Sequence, residues 1–273
     1  MRTGIIGYGS MGKMLLWKFA ESGIFGKDDL FVANRTREKL GEAAGVATIC
    51  GSNSEAARNS DILFVCVRPG DLKGVIEAIR GDVRDYALLV SLNGNISFDA
   101  IGKLVRHKTA KVIPSVTAEV NKSQTLVCYN DMVTDADKEK LKKLLRVMGN
   151  VIELPEGEMG MGSELVSCMP GFIASIFDVI IQSAKKHTDI PYEQAVNMLL
   201  NTVCATGELM LKNNMTFSDV VTRVATKGGI TEEGTKVVYE MFPAVADKLF
   251  EKTLEKRRLV AEKANESFCG NKK

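Results

Sequence analysis

The sequence is poor in the residues from which many metal and acid–base sites are built. Its 273 residues hold only two histidines, His107 and His187. Both stand in basic, helix-like stretches, Arg106-His107-Lys108 and Lys185-Lys186-His187, and read as solvated surface residues. That argues against a multi-histidine metal centre and against a histidine-based triad. The expected chemistry therefore proceeds without imidazole. The six cysteines are widely scattered and form no C-x-x-C pair, so neither a zinc cluster nor a disulfide framework is expected, and no metal site is assigned. Most read as small buried hydrophobes, Cys66 within Ile62-Leu63-Phe64-Val65-Cys66-Val67 especially. No apolar run approaches the length of a membrane span, and the first residues enter a strand without a signal-peptide pattern; this points to a cytoplasmic protein with no membrane partner. Charge of one sign is missing too. The formal net charge is +2 with both signs interspersed, which leaves no electrostatic footprint for nucleic acid.

What is present begins at once. Thr3-Gly4-Ile5-Ile6-Gly7-Tyr8-Gly9-Ser10-Met11-Gly12 carries the G-x-G-x-x-G pattern of a dinucleotide-binding β-turn-α unit. Gly7 allows a sharp turn out of the strand, Gly9 clears space for a pyrophosphate, and Gly12 lets the following helix pack closely, so that its N-terminal amides face the phosphates. Short glycine patterns arise by chance, but this one follows β-like Ile5-Ile6 and precedes the apolar-periodic Met11, Leu15, Leu16, Phe19 and Ala20. The second check lies at the end of the next strand, Leu30-Phe31-Val32-Ala33. There an NAD site would show an acid for the ribose hydroxyls, and this chain has Asn34-Arg35-Thr36-Arg37. An amide, a hydroxyl and two guanidinium groups suit a 2′-phosphate, which favours NADPH, with NADH possible. The competing reading is a solvated basic helix start at Arg35 and Arg37.

Along the first half, strand-like runs at 3–7, 30–33, 46–49, 62–67, 87–92 and 110–114 alternate with helical patterns at 10–23, 36–44, 71–80 and 97–105. Further strands are expected at 125–128 and 151–154 around a charged amphipathic helix at 134–147. The alternation predicts an α/β fold with a Rossmann-type, doubly wound, mostly parallel sheet over residues 1–156. From residue 157 to 273 the pattern becomes all-helical, with long periodic segments at 170–187, 191–212 and 236–265. The run Pro170 to Ile181 is too short and polar-interrupted to span a bilayer, yet its apolar face needs covering, which suits a dimerisation domain. Only the tail Cys269-Gly270-Asn271-Lys272-Lys273 reads as disordered.

A second cluster, Arg223-Val224-Ala225-Thr226-Lys227-Gly228-Gly229-Ile230-Thr231-Glu232-Glu233-Gly234, places paired glycines and a threonine at a helix start. Exposed amides beside a hydroxyl suit a small carboxylate. A capping box with Thr231 as N-cap fits the same residues.

Taken together, five ordered stretches resemble the pyrroline-5-carboxylate reductase family over essentially the whole chain. They are Gly7-x-Gly9-x-Met11-Gly12, Val67-Arg68-Pro69 for the family's Val-Lys-Pro, and Val112-Ile113-Pro114-Ser115 for its Met-Pro-Asn segment. Ser167-Cys168-Met169-Pro170-Gly171 stands for its Ser-Gly-Ser-Gly-Pro-Ala, and Lys227-Gly228-Gly229-Ile230-Thr231 for its Pro-Gly-Gly-Thr-Thr. Val166-Ser167-Cys168-Met169-Pro170 and Val224-Ala225-Thr226-Lys227-Gly228-Gly229-Ile230-Thr231 look like the family's late-competence branch, and Ser115, Cys168, Met169 and Lys227 depart from the family's usual residues. The resemblance implies reduction of the cyclic imine 1-pyrroline-5-carboxylate to L-proline with NADPH or NADH, in proline biosynthesis. It maps Thr231 onto the hydroxyl near the ring nitrogen and Thr226, Gly228 and Gly229 onto the carboxylate loop. The cofactor set becomes Gly7, Gly9, Ser10, Met11, Gly12, Asn34, Arg35, Thr36, Val67, Arg68 and Pro69, Arg68-Pro69 shaping a turn beside the cofactor. The family's site forms between one subunit's nucleotide domain and the helices of its dimer partner, so a homodimer or larger homo-oligomer is expected. Two alternatives stay open: a catalytically weak, nucleotide-binding accessory or regulatory protein, and a reductase of another small imino acid selected by bulky Met169.

Overall fold

The computed structural model describes residues 1–269. Of the tail expected to be disordered, residues 270–273 lie outside the described residues, whereas Cys269 closes the last helix.

In the first half, strands β1 (Thr3–Ile6), β2 (Leu30–Ala33), β3 (Thr48–Ile49), β4 (Ile62–Val65), β5 (Leu88–Ser91), β6 (Thr109–Ile113), β7 (Ser123–Tyr129) and β8 (Gly149–Glu153) form one sheet. Helices α1 (Ser10–Glu21), α2 (Asn53–Arg58), α3 (Pro69–Ile79), α4 (Phe98–Gly102) and α5 (Asp135–Leu145) interleave with them. The spatial order is β3-β2-β1-β4-β5-β6-β7-β8, parallel except where β7 runs antiparallel to β6. The chain thus steps outward in one direction through β2 and β3 and returns past β1 to β4. The two halves part between β1 and β4, which is where a doubly wound sheet opens a crevice at its carboxyl edge.

Period-two alternation explains why the central strands read as uninterrupted apolar runs. Ile5, Phe64 and Val90 face one core with Leu15, Leu16 and Phe19 of α1. Ile6, Leu63, Val65 and Leu89 face the other with Leu72 and Ile76 of α3. The 36–44 segment, expected as an α-helix, is instead a 3-10 run, Arg37–Gly45. Its only buried residues, Leu40 and Ala43, are three apart, which matches three residues per turn.

His107 corrects the solvated reading. It is 8% exposed, and its Nε2 lies 2.8 Å from the Ala87 carbonyl. Only its basic neighbours reach outward: Lys108 pairs with Asp137 at 2.9 Å. Burial lowers the imidazole's pKa below its ordinary value, and Lys108 lowers it further. Among the cysteines Cys50 and Cys128 are buried, Cys66 and Cys168 half-buried and Cys204 exposed, and all of these are free thiols.

The rest of the chain is helical: α6 (Met159–Ser163), a π-helical turn over Glu164–Cys168, α7 (Met169–Ala184), α8 (Tyr192–Asn213), α9 (Phe217–Val224) and α10 (Ile230–Cys269). The turns join without a break, so Glu156–Ala184 forms one helical run of 29 residues that is, by length and composition alone, long and apolar enough to cross a membrane. That run is longer than the apolar stretch beginning at Pro170 suggested. Two compact units result, Met1–Pro170 with the chain from Leu254 onward, and Gly171–Thr253. The end of α10 seals the first unit, with Ala264 and Phe268 buried in the core that contains Leu72 and Ile76. In the second unit Ile181 is the only buried apolar side chain among the described residues, while Leu211 is 86% exposed and Ile230 95%.

Candidate active site

The fingerprint loop has the backbone its glycines were assigned. Gly7 sits at φ +98°, and a Cβ there would come within 2.6 Å of the Cys66 carbonyl oxygen. A Cβ on Gly12 would run into the Gly7 carbonyl, so α1 can lie this close to the loop only without one. Around Gly9 the space within 4 Å is open. Gly9 caps α1, and the amides of Ser10, Met11 and Gly12 stand on its first turn, where a helix has no internal acceptors. A turned, side-chain-free loop ending in free amides fits a pyrophosphate.

This loop borders a cleft of about 630 Å³. Seven of the expected cofactor residues line it: Gly7, Gly9, Asn34, Arg35, Thr36, Val67 and Arg68. Ser10, Met11 and Gly12 belong to α1 and Pro69 opens α3, just behind the lining. Asn34 does more than face the cleft. Its Oδ1 accepts the Tyr8 amide at 3.0 Å and its Nδ2 donates to the Thr36 carbonyl at 2.8 Å, so it ties the end of β2 to the fingerprint. Arg35 is extended and exposed, 4.0 Å from Asp71. Tyr8 is buried; its hydroxyl accepts from Trp17 Nε1 at 3.1 Å, and burial raises its pKa, keeping the phenol neutral.

Lys39, Ser52, Asn53 and Asp71 also line the cleft and were not foreseen. Lys39 continues the basic stretch that begins at Arg35, and Ser52 is visible as the N-cap of α2, accepting the Glu55 amide at 3.1 Å. That helix is only six residues long, too short to leave an amphipathic pattern.

The second cluster lies in the second unit. Gly228 takes φ +72°, and the Gly229 amide donates to the Thr226 carbonyl at 2.8 Å. Helix α10 begins at Ile230, so Thr231 stands inside the first turn and is not the N-cap. Capping is done by Glu232, whose Oε2 accepts the Gly228 amide at 2.7 Å. The Thr231 hydroxyl is therefore presented, exposed, beside a carboxylate that already occupies one amide of the turn. Ser115 is buried at the end of β6, where its amide donates to Ser123 Oγ at 3.1 Å. Cys168 ends the π turn, and Met169 opens α7. Among the described residues no group of three or more His, Cys, Asp and Glu side chains could hold a metal ion.

Comparison with known proteins places these features. Residues 2–94 match the family described as NADP oxidoreductase, coenzyme F420-dependent, and residues 156–259 match pyrroline-5-carboxylate reductase dimerisation. A Bacillus subtilis protein named pyrroline-5-carboxylate reductase 3 is 30% identical over 96% of this chain and 97% of its own. ComE operon protein 4 of the same organism is 24% identical over 93% of this chain and 94% of its own. Among solved structures, a Plasmodium falciparum pyrroline carboxylate reductase with NADP bound superimposes with a TM-score of 0.81 at 22% identity, covering 98% of each chain. The Coxiella burnetii pyrroline-5-carboxylate reductase gives 0.84 at 22% identity, over 96% of this chain and 98% of that one.

Proposed function

The chain belongs to the pyrroline-5-carboxylate reductase family, and on that premise we propose that it reduces 1-pyrroline-5-carboxylate to L-proline with NADPH. Residues 1–156 bind the nucleotide, and residues 157–273 supply self-association and the substrate site. The observation that carries this reading is the Thr231 turn, where Glu232 takes over capping and leaves a hydroxyl beside an anion-accepting amide.

The fingerprint loop and the first turn of α1 would hold the pyrophosphate. Asn34, Arg35 and Thr36 supply donors for a 2′-phosphate at the end of β2, where no acid stands. Val67 and Arg68 border the cleft on the β4 side, and Pro69 starts α3 behind them. When bound, the reduced nicotinamide supplies a hydride to the imine carbon. Thr231 holds the ring nitrogen through its hydroxyl. The turn at Thr226, Gly228 and Gly229 takes the substrate carboxylate, which displaces the exposed Glu232 carboxylate from the Gly228 amide. A protonated imine is already electrophilic, so orientation and one donor suffice, consistent with a site that lacks imidazole. The first-turn threonine acts on a nucleotide bound by a second copy, so the active form is a homodimer or a larger homo-oligomer.

The test is loss of reduced-nicotinamide absorbance when purified protein meets NADPH and pyrroline-5-carboxylate. Thr231→Ala is expected to lower kcat by about a hundredfold with NADPH affinity unchanged, and Thr231→Ser to restore most of it. Cofactor binding with no turnover on this or related cyclic imines would favour the second reading, an accessory protein. That reading draws on Ser115, Cys168, Met169 and Lys227, which depart from the family's motifs.

A further inference from the structure

The π turn after α6 carries a carboxylate, Glu164, that is 1% exposed. Its Oε1 accepts from Arg257 Nε at 3.0 Å and Nη2 at 2.7 Å, while Oε2 is buried without a hydrogen-bond partner. The same guanidinium donates from Nη2 to Ser163 Oγ at 3.2 Å and from Nη1 to Asn95 Oδ1 at 3.0 Å. All four residues belong to the first unit. A buried ion pair is weak evidence of a stabilising role, because apolar residues of similar volume often serve as well. Apolar residues cannot supply the bond to Asn95.

Asn95 sits on the turn that follows β5, and that turn is held from a second side. Lys111 of β6, 1% exposed, donates from Nζ to the Ile96 carbonyl at 3.2 Å and pairs with Glu156 at 2.5 Å. Glu156 in turn accepts the Phe98 amide at 2.8 Å. The turn then reaches the cleft directly: Asn93 Nδ2 donates to the Val67 carbonyl at 3.1 Å, and Val67 lines the cleft. The fingerprint and Asn34–Thr36 occupy the β1–β2 side of the crevice, so the second half of a dinucleotide falls to the β4–β5 side.

We propose that Arg257 is a positioning residue, acting through Asn95 and the turn after β5 on the Val67 wall, and so on the nicotinamide half of the cofactor. The proposal rests on the nucleotide-dependent reading above but is tested without substrate. Trp17, the only tryptophan, is bonded to Tyr8 in the cleft lining, so its fluorescence reports occupancy.

Binding of NADPH is compared with binding of adenosine 2′,5′-bisphosphate, which carries only the adenosine half. Asn95→Ala and Arg257→Lys are expected to weaken NADPH about tenfold and the fragment less than about twofold, the loss of one charge-assisted hydrogen bond. The double variant E164M/R257M removes both buried charges and so retains folding, checked by thermal unfolding; it should show the same selective loss. Equal weakening of both ligands would make the pair a general scaffold element and overturn the proposal. NADPH binding at the wild-type level in the double variant would do so as well. Wild-type protein that binds NADPH but turns over no imine would sink the functional reading alone, since the contrast between NADPH and fragment still stands or falls on binding.

Discussion

The two compact units end their surfaces in different ways. In the first, side chains at the cleft wall and behind it are held within the chain: Asn34 bridges β2 and the fingerprint, Asn93 holds Val67, and Arg257 bonds both Asn95 and one oxygen of Glu164. In the second, Gly171–Thr253, long helices leave their apolar side chains in the open, with Ile181 alone buried among the described residues. A nucleotide site needs fixed dipoles and no reorganisation on binding, so it is finished in one chain. Exposed leucine, phenylalanine and valine on this scale mark a surface completed by another protein. The match to a dimerisation family over residues 156–259 makes a second copy that protein.

The largest effect should come from breaking the unfinished surface. Leu211 and Val238 are exposed in the single chain. If a second copy covers them, each contributes about 1.5–3 kcal/mol to association. Leu211→Asp with Val238→Asp places two carboxylates there, with an expected shift to monomer mass in sedimentation and a loss of imine reduction of more than about a hundredfold. NADPH binding, read by Trp17, should survive. Loss of binding together with the oligomer would mean that the cleft too depends on the partner, and the contrast between the units would fail.

A smaller effect tests whether the finished site reads the 2′-phosphate. Arg35 is 90% exposed at the side chain, and its 4.0 Å contact with Asp71 is too exposed to matter much for stability. Arg35→Ala should weaken NADPH about tenfold, NADH less than about twofold, and leave thermal unfolding unchanged. Equal losses for the two nucleotides would assign Arg35 to solvent and leave Thr36 and Lys39 as the phosphate's donors.

How much of this was legible in the sequence follows from the range of the interactions. The β1-turn-α1 unit was readable because Gly7 and Gly12 answer to local demands that no other residue meets equally, a positive φ at one and a close approach to the Gly7 carbonyl at the other. The apolar strands were readable because a sheet covered on both faces needs no alternation. Thr231 was singled out by its neighbours, but its position inside the first turn depends on Glu232 capping from the N3 position, where a capping box with Thr231 as N-cap fitted the same letters. Glu164 and Arg257 were not visible at all: 93 positions separate them, and Arg257 is one of several basic residues in a charged helix. Lys111 left a faint signal, a lone lysine inside an apolar strand.

His107 gives the smallest effect and bears on the finished unit alone. Its ring lies between the starts of β5 and β6, at the sheet edge opposite the cleft, and its Nε2–H donates to the Ala87 carbonyl. Burial is the main cause of its lowered pKa, opposed by that bond and by Asp85 and reinforced by Lys108. In the unfolded chain the imidazole takes up its proton near pH 6.5, before the folded protein does. The unfolded state therefore binds more protons as pH falls from about 6.5 toward the lower folded value, and stability decreases over that window; above it the contribution is fully present. His107→Gln keeps a donor near Ala87 but cannot titrate. Thermal unfolding between pH 8 and pH 5.5 should therefore flatten in the variant relative to the parent, while the pH profile of kcat stays the same because no step uses imidazole. A changed kcat profile would couple the far edge of the sheet to the cleft, and the first unit would then be less self-contained than its hydrogen bonds indicate.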